Sequence, residues 1–309
     1  MLGLSTSWNA AGTNSAKELI FEIKALGFQA VELSFNLDGP QVEQIACLAK
    51  NNEITVLSLH NFCPVPDALP REEALPDVYS LASSDELERS LALRYTKRTI
   101  DTARKTGAMA VVLHCGRVEI PDRTRQLIGL YESGRSDCAE FHQLRRQMLQ
   151  EREARAAAFL SHALKSIEEL NRYAGKQKVL LGIETRFYLR EIPSFAEIGI
   201  ILREFKGGNI FYWHDTGHAQ VMDNLRFALH KDYLEAYGPR MLGVHLHNVV
   251  GCLDHQPPHK GSFDFKRLLP YLKEDTIKII EAHSPATAED LKISKNYLEE
   301  IFHGRDAKS

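Results

Sequence analysis

The sequence predicts an α/β protein that folds as a single (β/α)8 TIM barrel over residues 1–309. Short apolar runs that favour β-strands alternate with amphipathic stretches of helical periodicity, and this alternation is typical of a parallel sheet. Eight such units favour a closed barrel over an open sheet. The chain also lacks the glycine-rich phosphate-binding motifs that an open nucleotide-binding sheet would be expected to carry.

Eight apolar runs predict the barrel strands, and they are Leu2–Ser5, Ala30–Leu33, Thr55–Leu59, Ala110–Leu113, Val179–Ile183, Ile210–Trp213, Leu242–Leu246 and Ile277–Ile280. Helices are predicted at residues 15–26, 40–51, 85–106, 139–174, 194–205, 263–272 and 288–302, with one more within 219–237. The first helix places Leu19, Ile20 and Ile23 on one face and ends at Gly27. The second helix has Pro40 near its start, where proline is well tolerated.

Two segments interrupt this alternation and predict extended loops after strands 3 and 4. Residues 61–84 contain four prolines, which suits a long loop over the barrel mouth. Residues 117–158 are polar and rich in arginine, and their RRQMLQEREARAAA stretch predicts a solvated helix. Either segment could be a lid or a contact between subunits of a homo-oligomer.

Composition and charge are those of an ordinary globular protein. Of the 309 residues, 44% are hydrophobic and 26% are charged, and the formal net charge is −3. This charge disfavours nucleic acid as a partner, although a local basic patch would still be compatible with it. No run approaches the roughly 20 apolar residues of a membrane span, and the N-terminus has no signal-peptide pattern. The five cysteines are odd in number and contain no C-x-x-C motif, which predicts reduced thiols in a cytoplasmic protein.

Polar residues at the strand ends predict the position of the site, because barrels of this kind carry their functional groups at the C-terminal ends of the strands. Seven of the eight predicted strands end at a histidine or a carboxylate, and these residues are Glu32, His60, His114, Glu184, Asp215 with His218, His245 with His247, and Glu281 with His283 behind it. Taken singly, each of them is more often a structural or solvated group than a ligand.

Together, Glu184, Asp215, His245 and Glu281 predict a metal site. Carboxylates that converge repel one another and are costly to bury unless a cation compensates them. Three carboxylates and one imidazole suit a divalent ion such as Mn²⁺, Co²⁺, Mg²⁺ or Zn²⁺. Across the tight turn that follows Asp215, His218 is expected to reach a second metal ion or the substrate. His214 alternates away from Asp215 along the strand and is expected to be structural.

Other residues near the predicted barrel mouth are candidates for substrate binding, and most of them could also be purely structural. Arg186 lies two residues beyond Glu184 and could hold a phosphate or a hydroxyl group, or could simply be an exposed or helix-facing arginine. Trp8, Phe35 and Tyr188 could form an apolar wall for a sugar ring, or could be ordinary packing residues. Glu32 is a further candidate for substrate binding.

The motifs IETR, WHDTGH, VHLHN, DH followed by P and G at 254–261, and IIEAH resemble those of the xylose isomerase-like TIM barrels. That superfamily includes sugar and sugar-phosphate isomerases and epimerases, some dehydratases, and endonuclease IV. The resemblance implies that Glu184, Asp215, His245 and Glu281 hold the metal and that His218 touches substrate. Relatives with H-L-x-D place the ligand at the first histidine, which favours His245 over His247.

Endonuclease IV relatives hold three zinc ions, using further histidines after strands 3 and 4 and a D-x-H loop after strand 7. His60, His114 and His255 match those histidines by resemblance, so the chain could bind one to three ions. The aspartate of the loop is adjacent to the histidine here, as Asp254–His255, which displaces one expected ligand.

The favoured function is a divalent-metal-dependent isomerase or epimerase of carbohydrate metabolism that acts on a sugar or sugar phosphate. Glu184 and Glu281 would act as its acid and base through an enediolate. One alternative is a zinc phosphodiesterase that acts on abasic DNA, and another is a sugar-type dehydratase of the same superfamily. A non-catalytic barrel that binds a polyol or a protein is the remaining possibility.

Overall fold

The computed structural model describes residues 1–304 and contains a closed parallel barrel, which confirms the predicted fold class. Its strands in chain order are β1 (Leu2–Ser5), β2 (Ala30–Leu33), β3 (Thr55–His60), β4 (Ala110–Leu113), β5 (Leu180–Glu184), β6 (Ile210–Asp215), β7 (Met241–Leu246), β8 (Asn248–Val250), β9 (Leu253–Gln256) and β10 (Ile277–Ile280). Strands β8 and β9 form an antiparallel hairpin outside the barrel. The barrel closes where β10 pairs with β1, with Gly3 opposite Ile279.

Nine α-helices surround the barrel within residues 1–304, and they are α1 (Ala16–Ala25), α2 (Gly39–Lys50), α3 (Glu86–Thr106), α4 (Thr124–Glu132), α5 (Ala139–Gln177), α6 (Phe195–Glu204), α7 (Thr216–Asn224), α8 (His230–Tyr237) and α9 (Ala288–His303). Several begin with side-chain caps that the sequence encodes locally. Asp38 and Gln41 form a capping box at α2, and Thr287 and Asp290 form one at α9. None of the helices in the described part of the chain has the length and apolar character needed to cross a membrane.

The predicted helix at 263–272 is wrong, because only a single 3-10 turn forms there, at Phe265–Leu268. Pro270 lacks an N–H group and its ring crowds the preceding turn, which disfavours an α-helix through this segment. The range 219–237 holds two helices rather than one, separated near Arg226, whose φ is +63°. Residues 117–158 are also less loop-like than predicted, since they contain α4 and the first half of the 39-residue α5.

Trp213 fills the centre of the barrel and supports the site above it. It is fully buried in a small cluster with Ala110, Val112, Ile277 and Ile279. Glycines on the two neighbouring strands make room for it: a Cβ atom would lie 2.8 Å from the indole at Gly182 and 2.3 Å from it at Gly243. Apolar side chains therefore fill the barrel interior beneath its C-terminal rim, and the polar groups of the rim lie directly above them.

Candidate metal centre

Glu184, Asp215, His245 and Glu281, hereafter the four-residue centre, converge at the C-terminal rim of the barrel. His245 Nδ1 lies 2.7 Å from Glu184 Oε1, 2.9 Å from Glu281 Oε2 and 3.7 Å from Asp215 Oδ2. One donor atom from each residue falls within 4.8 Å of all the others. The strand register produces this arrangement, because Asp215 on β6 pairs directly with His245 on β7.

Strong electrostatic coupling holds the four-residue centre in a charged state. Burial alone would raise the pKa values of the carboxyl groups, but the adjacent histidines lower those of Glu184 and Asp215 well below their usual range. Burial would lower the pKa of His245, yet Glu281 and Glu32 raise it well above its usual value. A proton on His245 thus offsets part of the negative charge. Three carboxylates around one imidazole nitrogen form a donor set that fits a divalent ion, which would take the place of that proton.

Glu32 lies behind His245. Its oxygens are 3.1 and 3.2 Å from His245 Nε2, and Ser58 Oγ donates a hydrogen bond of 2.7 Å to Oε2. The residue is fully buried. A histidine that ligates a metal through one ring nitrogen usually donates its other N–H to a carboxylate, which fixes the ring. The position of Glu32 therefore suits orientation of His245 better than contact with a substrate.

The two histidines of VHLHN have different surroundings. His247 Nε2 lies 2.9 Å from Asp215 Oδ1, and His247 Nδ1 accepts a 2.9 Å hydrogen bond from the backbone N–H of His255. Since Nδ1 accepts, Nε2 carries the proton and donates it to Asp215. Both nitrogens of His247 are thus engaged in orienting neighbours, whereas His245 Nδ1 faces the carboxylates.

His218 presents one unprotonated nitrogen beside the four-residue centre. Its backbone N–H caps α7 through Asp215 Oδ1 at 2.7 Å, and its Nδ1 donates to the carbonyl of Thr185 at 2.9 Å. Burial lowers the pKa of His218 to about 4, so the ring is neutral near pH 7 and Nε2 is an acceptor. The Phe187 ring packs 5.0 Å away and restricts the imidazole.

The β8–β9 hairpin brings Asp254 and His255 to the same region. Asp254 Oδ2 lies 2.9 Å from His255 Nδ1 and 3.7 Å from His218 Nε2. His255 has a positive φ of +52°, and its ring stacks between those of His247 and His283 at 4.2 and 4.0 Å. Donor atoms of His218, His247 and His255 lie close enough together to hold an ion. The adjacent Asp254–His255 pair thus still places both side chains near His218.

A separate group of donor atoms within 4.8 Å of one another is formed by His60, His114 and Glu184. We call this group the second cation position. His60 Nε2 and His114 Nε2 lie 3.7 and 2.5 Å from Glu184 Oε2. Arg186 is buried among them, so the reading of an exposed arginine is wrong. Its guanidinium also contacts Glu191 and Asp77, two residues that no sequence signal connected to the site.

The aromatic residues expected to line the barrel mouth, Trp8, Phe35 and Tyr188, make different contacts from one another. Phe35 meets the His60 ring edge-on at 5.7 Å, so it does border the site. Trp8 donates its indole N–H to the carbonyl of Ala286, and Tyr188 packs 4.4 Å from Phe187. Phe187 itself, which contacts His218, was not singled out by the sequence because a single aromatic residue in a loop carries no periodic signal.

His214 points away from the four-residue centre, as the strand alternation predicts. Its Nδ1 lies 2.7 Å from Tyr212 Oη and its Nε2 lies 3.1 Å from His230 Nε2, on helix α8. The Tyr212 hydroxyl also contacts Thr185 Oγ1 at 2.7 Å. These partners place His214 in the layer between sheet and helices.

Comparison with proteins of known structure gives relatives of the same fold at low sequence identity. A D-tagatose 3-epimerase-like protein superposes with a TM-score of 0.67 and 17% identity, over 99% of this chain and 98% of that one. An L-ribulose 3-epimerase gives 0.68 and 15%, over 99% and 96%. The 3-keto-D-glucoside 4-epimerase of E. coli gives 0.65 and 12%, over 96% and 98%.

A search of curated proteins found no match to this sequence. Residues 20–301, by contrast, match a family described as the xylose isomerase-like TIM barrel. That match spans nearly all of the barrel and includes every residue of the four-residue centre. The chain therefore belongs to the xylose isomerase-like TIM-barrel family.

Proposed function

We propose that this protein is a divalent-metal-dependent isomerase or epimerase that acts on a sugar or sugar phosphate. The observation that carries the proposal is the convergence of Glu184, Asp215 and Glu281 on the single nitrogen His245 Nδ1. Family membership and the sugar epimerases among the structural relatives support it.

A divalent ion held by Glu184, Asp215, His245 and Glu281 would polarise the carbonyl of a hydroxyketone or hydroxyaldehyde. Glu184 ends β5 and Glu281 follows β10, and both approach His245 Nδ1, so in this proposal the two carboxylates would lie beside the bound substrate. One carboxylate would remove the proton from the carbon beside the carbonyl, which gives an enediolate. The other would enter the step as a carboxylic acid and would deliver its own proton, either to the opposite face of that carbon or to its neighbour.

His218 would fix the substrate's orientation in this scheme. Its neutral ring directs the Nε2 lone pair away from the Thr185 carbonyl that holds Nδ1. A sugar hydroxyl could donate a hydrogen bond to it. The phenyl ring of Phe187 keeps the imidazole in place, so binding would cost little side-chain entropy.

A zinc phosphodiesterase remains the second candidate function. Three further groups of donor atoms in the described part of the chain favour it because such an enzyme needs several ions. They are His60, His114 and Glu184; His218, His247 and His255; and His255, Glu281 and His283. The net charge of −3 weighs against a polyanionic substrate. A dehydratase would use the same enediolate and differs only in the later loss of water.

The first test combines metal content with turnover. Wild-type protein loaded with Mn²⁺ or Co²⁺ is incubated with a panel of ketoses and ketose phosphates, and products are identified by chromatography. Glu281→Gln is expected to lower kcat by about 100-fold to 10,000-fold while the fold is retained, since it removes an acid–base group. Glu289→Gln, an exposed carboxylate on α9, is the matched control and should keep full turnover. Full turnover in both Glu281→Gln and Glu184→Gln would contradict the two-carboxylate mechanism.

A further inference from the structure

The fold builds a second cation position beside the proposed metal, at His60, His114 and Glu184. Both histidines are oriented as metal ligands usually are. His60 Nδ1 lies 3.1 Å from the carbonyl of Asn61, and His114 Nδ1 lies 2.9 Å from Asp77 Oδ1. An imidazole whose Nδ1–H is held by a carbonyl or carboxylate directs its Nε2 lone pair elsewhere. Here both Nε2 atoms are directed towards Glu184 Oε2.

Glu184 connects this position to the four-residue centre through its two oxygens. Oε1 lies 2.7 Å from His245 Nδ1, on the side of Asp215 and Glu281. Oε2 lies on the other side, with the second cation position. A carboxylate placed in this way can bind one cation with each oxygen. The geometry alone would therefore suit a pair of ions bridged by Glu184.

The guanidinium group of Arg186 occupies the space between these donor atoms. Its Nη1 lies 2.8 Å from Glu184 Oε2 and 2.5 Å from His114 Nε2. A guanidinium nitrogen can only donate hydrogen bonds, so Nη1 donates to Glu184 Oε2 and lies against His114 Nε2. The space and the carboxylate oxygen that a metal ion would need are thus already taken by a permanent positive charge.

Arg186 is anchored from the side opposite Glu184. Its Nη2 donates to Glu191 Oε1 at 2.8 Å and lies 3.6 Å from Asp77 Oδ2. Glu191 is fixed in turn, because its Oε2 accepts the backbone N–H of Tyr188 at 3.0 Å. Only 8% of Arg186 is exposed, which strengthens each of these contacts.

Arg152 of helix α5 holds the loop that carries this anchor. Its guanidinium donates to the carbonyls of Leu189 and Glu191 at 2.7 and 2.9 Å, and it pairs with both oxygens of Glu197 at 2.9 and 2.6 Å. The residue is 8% exposed. The long helix α5 therefore contributes to the placement of Arg186 without touching the site itself.

We propose that Arg186 is the resident cation of the second cation position and limits the centre to one divalent ion. The inference rests on the proposed metal at the four-residue centre and adds the reason for its stoichiometry. A second dication would have to displace a buried guanidinium from the carboxylates of Glu184, Glu191 and Asp77, or bind beside it against direct repulsion. The chain then keeps the ligands of a two-ion site and binds a single ion.

The experiment counts metal ions in the wild type and in Arg186→Leu, whose side chain has no ligand atom. Each protein is stripped with a chelator, dialysed against excess Mn²⁺ or Co²⁺, freed of unbound ion and measured by inductively coupled plasma mass spectrometry. We expect one ion per wild-type chain and two per Arg186→Leu chain. The Mn²⁺ electron paramagnetic resonance spectrum should change from that of an isolated ion to that of an exchange-coupled pair.

Two further variants define the second ion. Arg190→Leu is the matched control, since Arg190 lies on the same loop and contacts Asp122 instead of the site, and it should bind one ion. Arg186→Leu combined with His60→Ala should return the count to one. Removing Arg186 leaves Glu191 buried without its partner, so Arg186→Leu/Glu191→Gln is prepared as a variant better able to fold.

The outcomes separate the two proposals. A wild-type chain that binds two ions, one of which is lost in His60→Ala, contradicts the role of Arg186. One ion in the wild type and still one in a folded Arg186 variant, judged by circular dichroism, contradicts that role alone and leaves the proposed function standing. A wild-type chain that binds no ion overturns the proposed function and, with it, this inference.

Discussion

Strand β6 carries two histidine environments on its opposite faces, and they contrast sharply. On the inner face, Asp215 joins the four-residue centre, where His245 lies among carboxylates. On the outer face, His214 pairs with His230, and we call these two residues the outer histidine pair. Burial lowers the pKa of His214 to about 3, whereas the carboxylates raise that of His245 well above its usual value.

The comparison teaches that burial does not by itself decide the charge of a histidine. Both His214 and His245 are fully buried. Within the outer pair, His214 contacts the Tyr212 hydroxyl and the His230 imidazole, so both rings are most stable when neutral. His245 meets Glu32, Glu184 and Glu281, so a positive charge there is stabilised. Only the inner face therefore has the excess negative charge that a divalent ion would balance.

The largest effect expected from this contrast concerns metal affinity. His245→Gln should weaken Mn²⁺ binding by more than about 100-fold, because it removes a proposed ligand. His214→Gln should leave the affinity within about twofold while lowering the melting temperature, because it only breaks buried hydrogen bonds. Isothermal titration calorimetry of the stripped proteins measures both. Equal losses of affinity in the two variants would show that the faces are not functionally distinct.

A smaller effect is expected at Glu32, which lies behind His245. Glu32→Gln keeps the size of the side chain but removes the charge that orients the ring, and it should weaken metal binding by about 10-fold to 100-fold. Glu43→Gln, an exposed carboxylate on α2, is the matched control. If Glu32→Gln changed substrate KM but not metal affinity, Glu32 would instead be a substrate contact.

The smallest effect concerns the pH dependence of stability through the outer histidine pair. The folded pKa of His214 is about 3 and the ordinary value is about 6.5, so between these values the unfolded chain binds more protons. The contribution of His214 is therefore present above pH 6.5 and is lost as the pH falls. By this linkage, the free energy of unfolding should fall by about 2 kcal/mol between pH 7 and pH 5 through His214.

Urea unfolding at the two pH values, monitored by circular dichroism, checks this prediction. The destabilisation caused by His214→Gln should be smaller at pH 5 than at pH 7 by about the same 2 kcal/mol, since the variant has no imidazole to protonate. An identical destabilisation at both pH values would mean that His214 is not held neutral in the folded protein.

Local sequence patterns predicted most of the fold, and the exceptions have local physical causes. The apolar runs located all eight barrel strands to within one or two residues, since each strand is short and bounded by polar or turn residues. The helix predicted at 263–272 does not form, because the apolar spacing is typical of a helix but Pro270 disfavours one. The helices α7 and α8 were merged because the left-handed residue between them, Arg226, carries no sequence signature.

The sequence alone determined the fold class and the residues at the strand ends, since strand alternation and parallel order send Glu184, Asp215, His245 and Glu281 to one rim. It could not decide between His245 and His247, because residues two apart on a strand share a face. Only the tertiary structure placed Glu32 behind His245 and Arg186 between His114 and Glu184. Those contacts join loops and strands that are distant along the chain, and their geometry depends on how the whole barrel packs.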